Sequence, residues 1–165
     1  MSKSVVMFFA LAALGYASGA AAQAPSPAPA PPPYGAPIGL EEAKKAAAAA
    51  VAEVTKVGSQ PDAIAIVDHG GFLIYFERMD NTQLGSVEFA IEKARSAAMF
   101  RRPTKFWEDA LASGRTAILG VSGAVPVEGG VPIISGGKLV GGIGASGGTA
   151  QQDGQVAKAG ADAIK

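Results

Sequence analysis

"AIAIVDHGGFLIYFERM" (residues 63–79) decides the fold of this chain. Two apolar runs rich in β-branched and aromatic residues, 63–68 and 72–79, flank the short "HGG" of 69–71. A connection that short permits only antiparallel pairing, so the stretch predicts a β-hairpin. Asp68 suits the turn, because an aspartate there accepts hydrogen bonds from backbone amides a few residues on.

The segments around the hairpin supply its cover. Upstream, "LEEAKKAAAAAVAEVTKVG" (40–58) consists of strong helix formers, with Glu41 and Glu42 in the first turn and Gly58 at the end; it predicts a helix. Downstream, "SVEFAIEKARSAAMF" (86–100) places Val87, Ile91, Ala94 and Ala98 on one face, with Glu88, Glu92, Lys93 and Arg95 elsewhere, as in an amphipathic helix. Pro103 breaks that helix, Thr104 is positioned to cap the next, and "KFWEDALASG" (105–114) forms it. The stretch 124–148 alternates short β-prone runs with glycine turns and predicts two or three antiparallel strands, and 150–165 predicts a closing helix. The order points to an α+β domain with an antiparallel sheet of about five strands covered by helices.

The first 22 residues read as a secretory signal: Lys3 gives a positive start, 5–16 an apolar run, and Ala20 and Ala22 small residues before a cut. That run is shorter than the roughly 20 residues that span a bilayer. Residues 23–37, rich in Pro and Ala, predict an extended, solvated spacer, leaving 38–165 as one domain of a periplasmic or secreted protein. Removing Lys3 from a balance of 14 basic and 14 acidic residues leaves a mature charge of about −1, which argues against a nucleic-acid partner. The chain has no cysteine, excluding disulfides, thiolate catalysis and iron–sulfur ligation.

"GIGASG" (142–147) has the letter pattern of a dinucleotide-binding loop. Such a loop needs a following helix, a second parallel strand and an acid on it to reach the ribose. Only 18 residues follow Gly147, enough for one helix and no strand. The glycines therefore predict close backbone packing, with an anion contact at the next helix start as the other use. No phosphate-binding G-x-x-x-x-G-K-[ST] occurs, the single histidine offers no metal cluster, and the serines near glycines lack the strand-turn-helix context of a hydrolase.

Five segments in order, "AIVDHGGFLIYFERMD" (65–80), "AIEKARSAAMFRRPT" (90–104), "GGVPI" (129–133), "GGKLVGGIGASGG" (136–148) and "QDGQVAKAG" (152–160), resemble the GlcG/HbpS-like proteins, described as haem-binding or haem-degrading. The resemblance implies a profilin-like α+β fold, a homo-oligomer, and a pocket taking haem or, in other members, a corrinoid or another small molecule. It also implies a threonine at the iron in one branch, matched by Thr104. The family's histidine on or near the first helix has no counterpart, since 40–58 contains none.

Haem requires a flat apolar slot, one or two axial donors and cations for its propionates. Thr104 is either the helix cap or the matched ligand, and His69, the one imidazole, is either a solvated turn residue or an iron donor. Arg101, Arg102 and Lys105 form a basic cluster beside Thr104, with Phe100, Phe106 and Trp107 as ring surface for a planar or carboxylated ligand. This places the expected pocket between the sheet and 100–107. Met99 and Tyr75 are candidate donors better explained by packing, and Arg78 or Asp80 with Lys93 suggests an ion pair between hairpin and helix. No pair of groups at catalytic spacing emerges. A haem-binding module, with haem sensing or degradation in view, and an enzyme or auxiliary subunit acting on a small organic acid or corrinoid without iron are the two functional readings.

Overall fold

The computed structural model describes residues 30–165; the predicted signal and the first part of the spacer lie outside these. Helix α1 (Leu40–Lys56) leads into β1 (Ala63–Asp68) and β2 (Leu73–Arg78), and α2 (Gly85–Phe100) and α3 (Lys105–Ala112) follow. A short 3₁₀ turn (Thr116–Gly120) precedes β3 (Gly130–Ser135), β4 (Lys138–Ser146) and α4 (Ala150–Asp162). Among the described residues the sheet has four antiparallel strands in the order β2-β1-β4-β3, not five. The expected extra strand fails because 124–129 runs irregularly over α2, where the Val125 N–H donates to Ser96 Oγ at 3.1 Å.

Alternation along the strands sorts the core into two layers. Ile64 and Ile66 of β1, with Ile143 and Ala145 of β4, meet the alanine face of α1 and Val156, Ala157 and Ala161 of α4. Ala63, Ala65 and Val67 face the other way, against Ala90, Ala94 and Ala98 of α2. Asp68 makes the predicted turn, its Oδ1 accepting from the N–H of Gly70 at 2.8 Å and of Phe72 at 3.0 Å.

The "GIGASG" glycines take up the packing role. A Cβ on Gly144 would collide with the Ala90 carbonyl, and one on Gly142 with that of Ala94, so α2 lies directly on the backbone of β4. The helix after them is closed by a capping box between Thr149 and Gln152 rather than left open for an anion.

Part of the expected spacer belongs to the fold. The Gly35 N–H donates to the Leu139 carbonyl and the Leu139 N–H to that of Pro33, both at 2.8 Å, and the Ile38 N–H to that of Val140 at 2.8 Å. β1 stops pairing with β4 at Gly141, so residues 33–38 satisfy β4 groups that would otherwise face an unfilled edge.

Candidate functional site

A groove of about 560 Å³ runs between the outer edge of β3, α4 and Pro103–Lys105. Its walls are apolar: Val131, Pro132 and Ile134 from β3, and Ala161 and Ile164 from the last helix and the residues after it. Lys105, Lys158, Glu128 and Asp162 are the charged groups around it. The edge register explains the shape. Thr104 and Gly130 exchange bonds across the outer side of β3: the Thr104 N–H donates to the Gly130 carbonyl, and the Gly130 N–H donates to Thr104 Oγ1, both at 2.9 Å. Gly130 therefore turns its polar groups away from β4, and Pro132, two residues on, directs its hydrogen-free nitrogen to the same open side.

Electrostatics at the groove are set by exposed pairs. Lys105 is bound to Asp109, which holds its ammonium above the ordinary range, and Lys158 is bound to Asp162. Burial, with Glu108 nearby, pushes the Glu128 carboxyl above its usual range, and the Glu128 N–H donates to Glu108 Oε2 at 2.7 Å.

Of the residues expected from sequence, only Lys105 lines this groove. Thr104 is fully buried, its hydroxyl engaged by Gly130 and making no side-chain bond to cap α3, because the β3 edge claims it instead. Phe100 and Phe106 stand edge-on to Trp107, each with ring centroids 5.0 Å apart, and Arg102 lies over Phe106 at 4.4 Å. Phe106 is 41% exposed and Trp107 Nε1 is buried without a partner among the described residues, and the groove reaches the 100–107 stretch at Pro103 and Lys105. His69 and Arg101 sit elsewhere, at the end of the hairpin and the end of α2. The His69 ring lies 5.9 Å from the Tyr34 ring, the Arg101 guanidinium lies 5.0 Å from that same ring, and His69 Nδ1 is buried without a partner.

Lys93 does not pair with the hairpin acids. It is fully buried, donates to Asp153 Oδ2 of α4 at 2.7 Å and to the Ala145 carbonyl at 3.1 Å, and is the reason α2 and α4 are coupled at the end of the sheet. Asp153 also accepts from the Gly148 N–H at 2.9 Å. Asp62 is fully buried nearby, with Oδ1 accepting from Ser59 and Oδ2 unpartnered. Burial, then the Asp153 charge, pushes Asp62 up to about 6.

Sequence reasoning missed Lys158, Tyr34, Asp62 and Asp153. Lys158 looks like any helix-surface cation, and Tyr34 lies in a proline-rich stretch that carries no strand pattern. An aspartate in a first helical turn is ordinarily explained by the helix dipole, which hides its role as a counter-ion. Among the described residues no group of three or more His, Asp or Glu side chains could hold a metal, and no helix is long and apolar enough to cross a membrane.

Residues 38–162 match the family model described as haem degrading protein HbpS-like. The chain is 39% identical over 69 residues to protein GlcG of Escherichia coli K12, an alignment covering 38% of this chain and 52% of GlcG, so it spans about half the length of that relative. The crystal structure of HbpS superposes with a TM-score of 0.71 at 31% identity, covering 88% of this chain and 99% of the other. A crystal structure of a PduOC–haem complex superposes with a TM-score of 0.69 at 27% identity, covering 78% and 96%.

Proposed function

The chain belongs to the HbpS-like family, and we propose on that footing that it binds haem, with the macrocycle in the groove along the outer edge of β3. The observation that carries the reading is the groove itself: apolar walls from Val131, Pro132 and Ile134, volume enough for a small planar ligand, and Lys105 and Lys158 beside it. Both lysines hold carboxylates on their own helices at exposed positions. Exposed pairs contribute little, so exchanging an aspartate for a propionate costs little. The similar structure solved with haem, PduOC, supports the same ligand class.

The groove suits the porphyrin and its propionates and does not suit the iron. Among the described residues no imidazole, thioether or phenol lines it, and the Thr104 hydroxyl is buried. Bound haem supplies a redox-active Lewis-acid iron; the residues of the groove bind and orient the ring and keep water from one face. The same reading takes 38–165 as the working domain of an exported, periplasmic or secreted homo-oligomer that senses or degrades the haem it binds.

Hemin titration of the purified protein tests this. The expected result is a saturable one-to-one change in the Soret band, weakened about tenfold by Lys158→Glu through lost propionate pairing. A spectrum that shifts without saturating, or not at all, refutes it. A second reading, a carboxylate- or corrinoid-binding subunit without haem iron, uses the same lysines. A thermal-shift panel separates the two, since only the true ligand raises apparent stability specifically.

A further inference from the structure

Glu128 stands where the groove meets a second depression. That depression, of about 580 Å³, is lined by Glu108, Thr149, Ala150 and Gln151, and it shares Lys105 and Glu128 with the groove. Glu128 is fixed there at two points. Its N–H donates to Glu108 Oε2 of α3 at 2.7 Å, and its side chain lies against Gly154 of α4, where a Cβ would collide with the carboxyl. Glycine inside a helix costs stability relative to alanine, and the bare backbone at this turn of α4 is what gives the carboxyl its place.

The charge around Lys105 is unbalanced. Its ammonium is bound to Asp109, lies 3.9 Å from Glu108 and feels the charge of Glu128, three carboxylates to one cation. The other ammonium close by, that of Lys93, is buried behind Gly129 and engaged by Asp153. Lys158, farther along the groove, is bound to Asp162. A ligand carboxylate that displaces Asp109 from Lys105 therefore arrives beside the fixed carboxyl of Glu128, and two carboxyl groups sharing a site do not both stay ionised. Burial, then Glu108, already holds the Glu128 carboxyl above its usual range; Asp109 acts in the same sense, and Lys105 and Lys93 oppose them.

We infer that Glu128 is the specificity-determining residue of the groove: a ligand carboxylate is taken on Lys105 together with one proton, which the Glu128 carboxyl holds and donates to it. The proton comes from solvent, and no bond other than O–H changes. The groove thus selects a planar acid that presents a single carboxylate to this junction, any second one going to Lys158, and it disfavours a ligand that brings two anions to Lys105. The inference rests on the groove being the ligand site, as proposed above.

Metal-free protoporphyrin IX, a planar dicarboxylate, is the probe, titrated by fluorescence into the full chain over a range of pH. Comparing proteins at each pH cancels the titration of the probe itself. Wild-type affinity is expected to fall relative to Glu128→Gln by about tenfold between about pH 5 and about pH 8, because the amide donates without taking up a proton. Glu128→Ala removes the titrating group without supplying a donor; it is expected to lose the slope as well, and it covers the case of a Gln side chain that packs differently on Gly154. Asp162→Asn removes an anion from the same groove but leaves Glu128 to titrate, so it is expected to shift affinity equally at every pH and keep the wild-type slope. Thermal melts establish that each variant is folded. Equal slopes in the wild type and both Glu128 variants overturn the role of Glu128 and leave the groove standing. A slope lost in Asp162→Asn as well belongs to the summed charge of the groove and also overturns it. Binding seen only in Glu128→Gln supports the inference, whereas absence of binding by all of these proteins at every pH overturns the groove and the inference with it.

Discussion

Lys93 carries its charge into the interior with Asp153 as counter-ion, and neither side chain is more than 4% exposed. A buried ion pair adds little net stability over an apolar pair, yet removing one member leaves an uncompensated charge. Lys93→Met is therefore expected to cost about 3–5 kcal/mol in urea unfolding, and Lys93→Met/Asp153→Leu much less than the two single changes together. Asp62 behaves in the opposite sense to an ordinary surface acid. Its carboxyl is pushed from 3.8 up to about 6 in the folded protein, so between those values the folded state binds more protons than the unfolded chain. Its contribution to stability accordingly rises as pH falls through about 6 and is complete below 3.8. Asp62→Asn, which mimics the neutral acid, should exceed the wild type in unfolding free energy by on the order of 2–3 kcal/mol at pH 8, with the gap closing toward pH 4. A gap that does not change with pH would place the destabilising charge elsewhere.

Helix α2 is set by what β4 lacks. With Ala90 and Ala94 backbone against Gly144 and Gly142, the helix sits closer to the sheet than any side chain allows. Gly144→Ala forces the two elements apart and is expected to cost about 1–3 kcal/mol, as overpacking does, seen as a lowered urea midpoint. The same separation strains the Lys93–Asp153 bond, because Lys93 rises from α2 to meet α4 past the end of β4. An increased loss in Gly144→Ala/Lys93→Met relative to the sum would contradict that coupling, since a bond already weakened has less to lose.

At the scale of the molecule the open flank is β3. Thr104 covers its start and Pro132 removes a donor from its middle, two devices that keep a sheet edge from pairing with another chain. Pro132→Val restores an outward N–H beside an apolar groove, and the expected outcome is greater association at high concentration by light scattering, with the secondary structure retained. The sequence by itself determined the elements: the hairpin at 63–79, its Asp68 turn, the helices expected at 40–58, 86–100, 105–114 and 150–165 and found within a few residues of those bounds, and the exclusion of a nucleotide loop all follow from local periodicity and turn chemistry. Only the tertiary structure decided the strand count, the place of the groove, the partner of Lys93 and the docking of Tyr34 on His69. Those facts depend on pairs far apart in the chain, Lys93 with Asp153 and Tyr34 with Leu139 among them. Local pattern carries no record of such pairs, because a cation on a helix reads the same whether it faces water or a buried carboxylate.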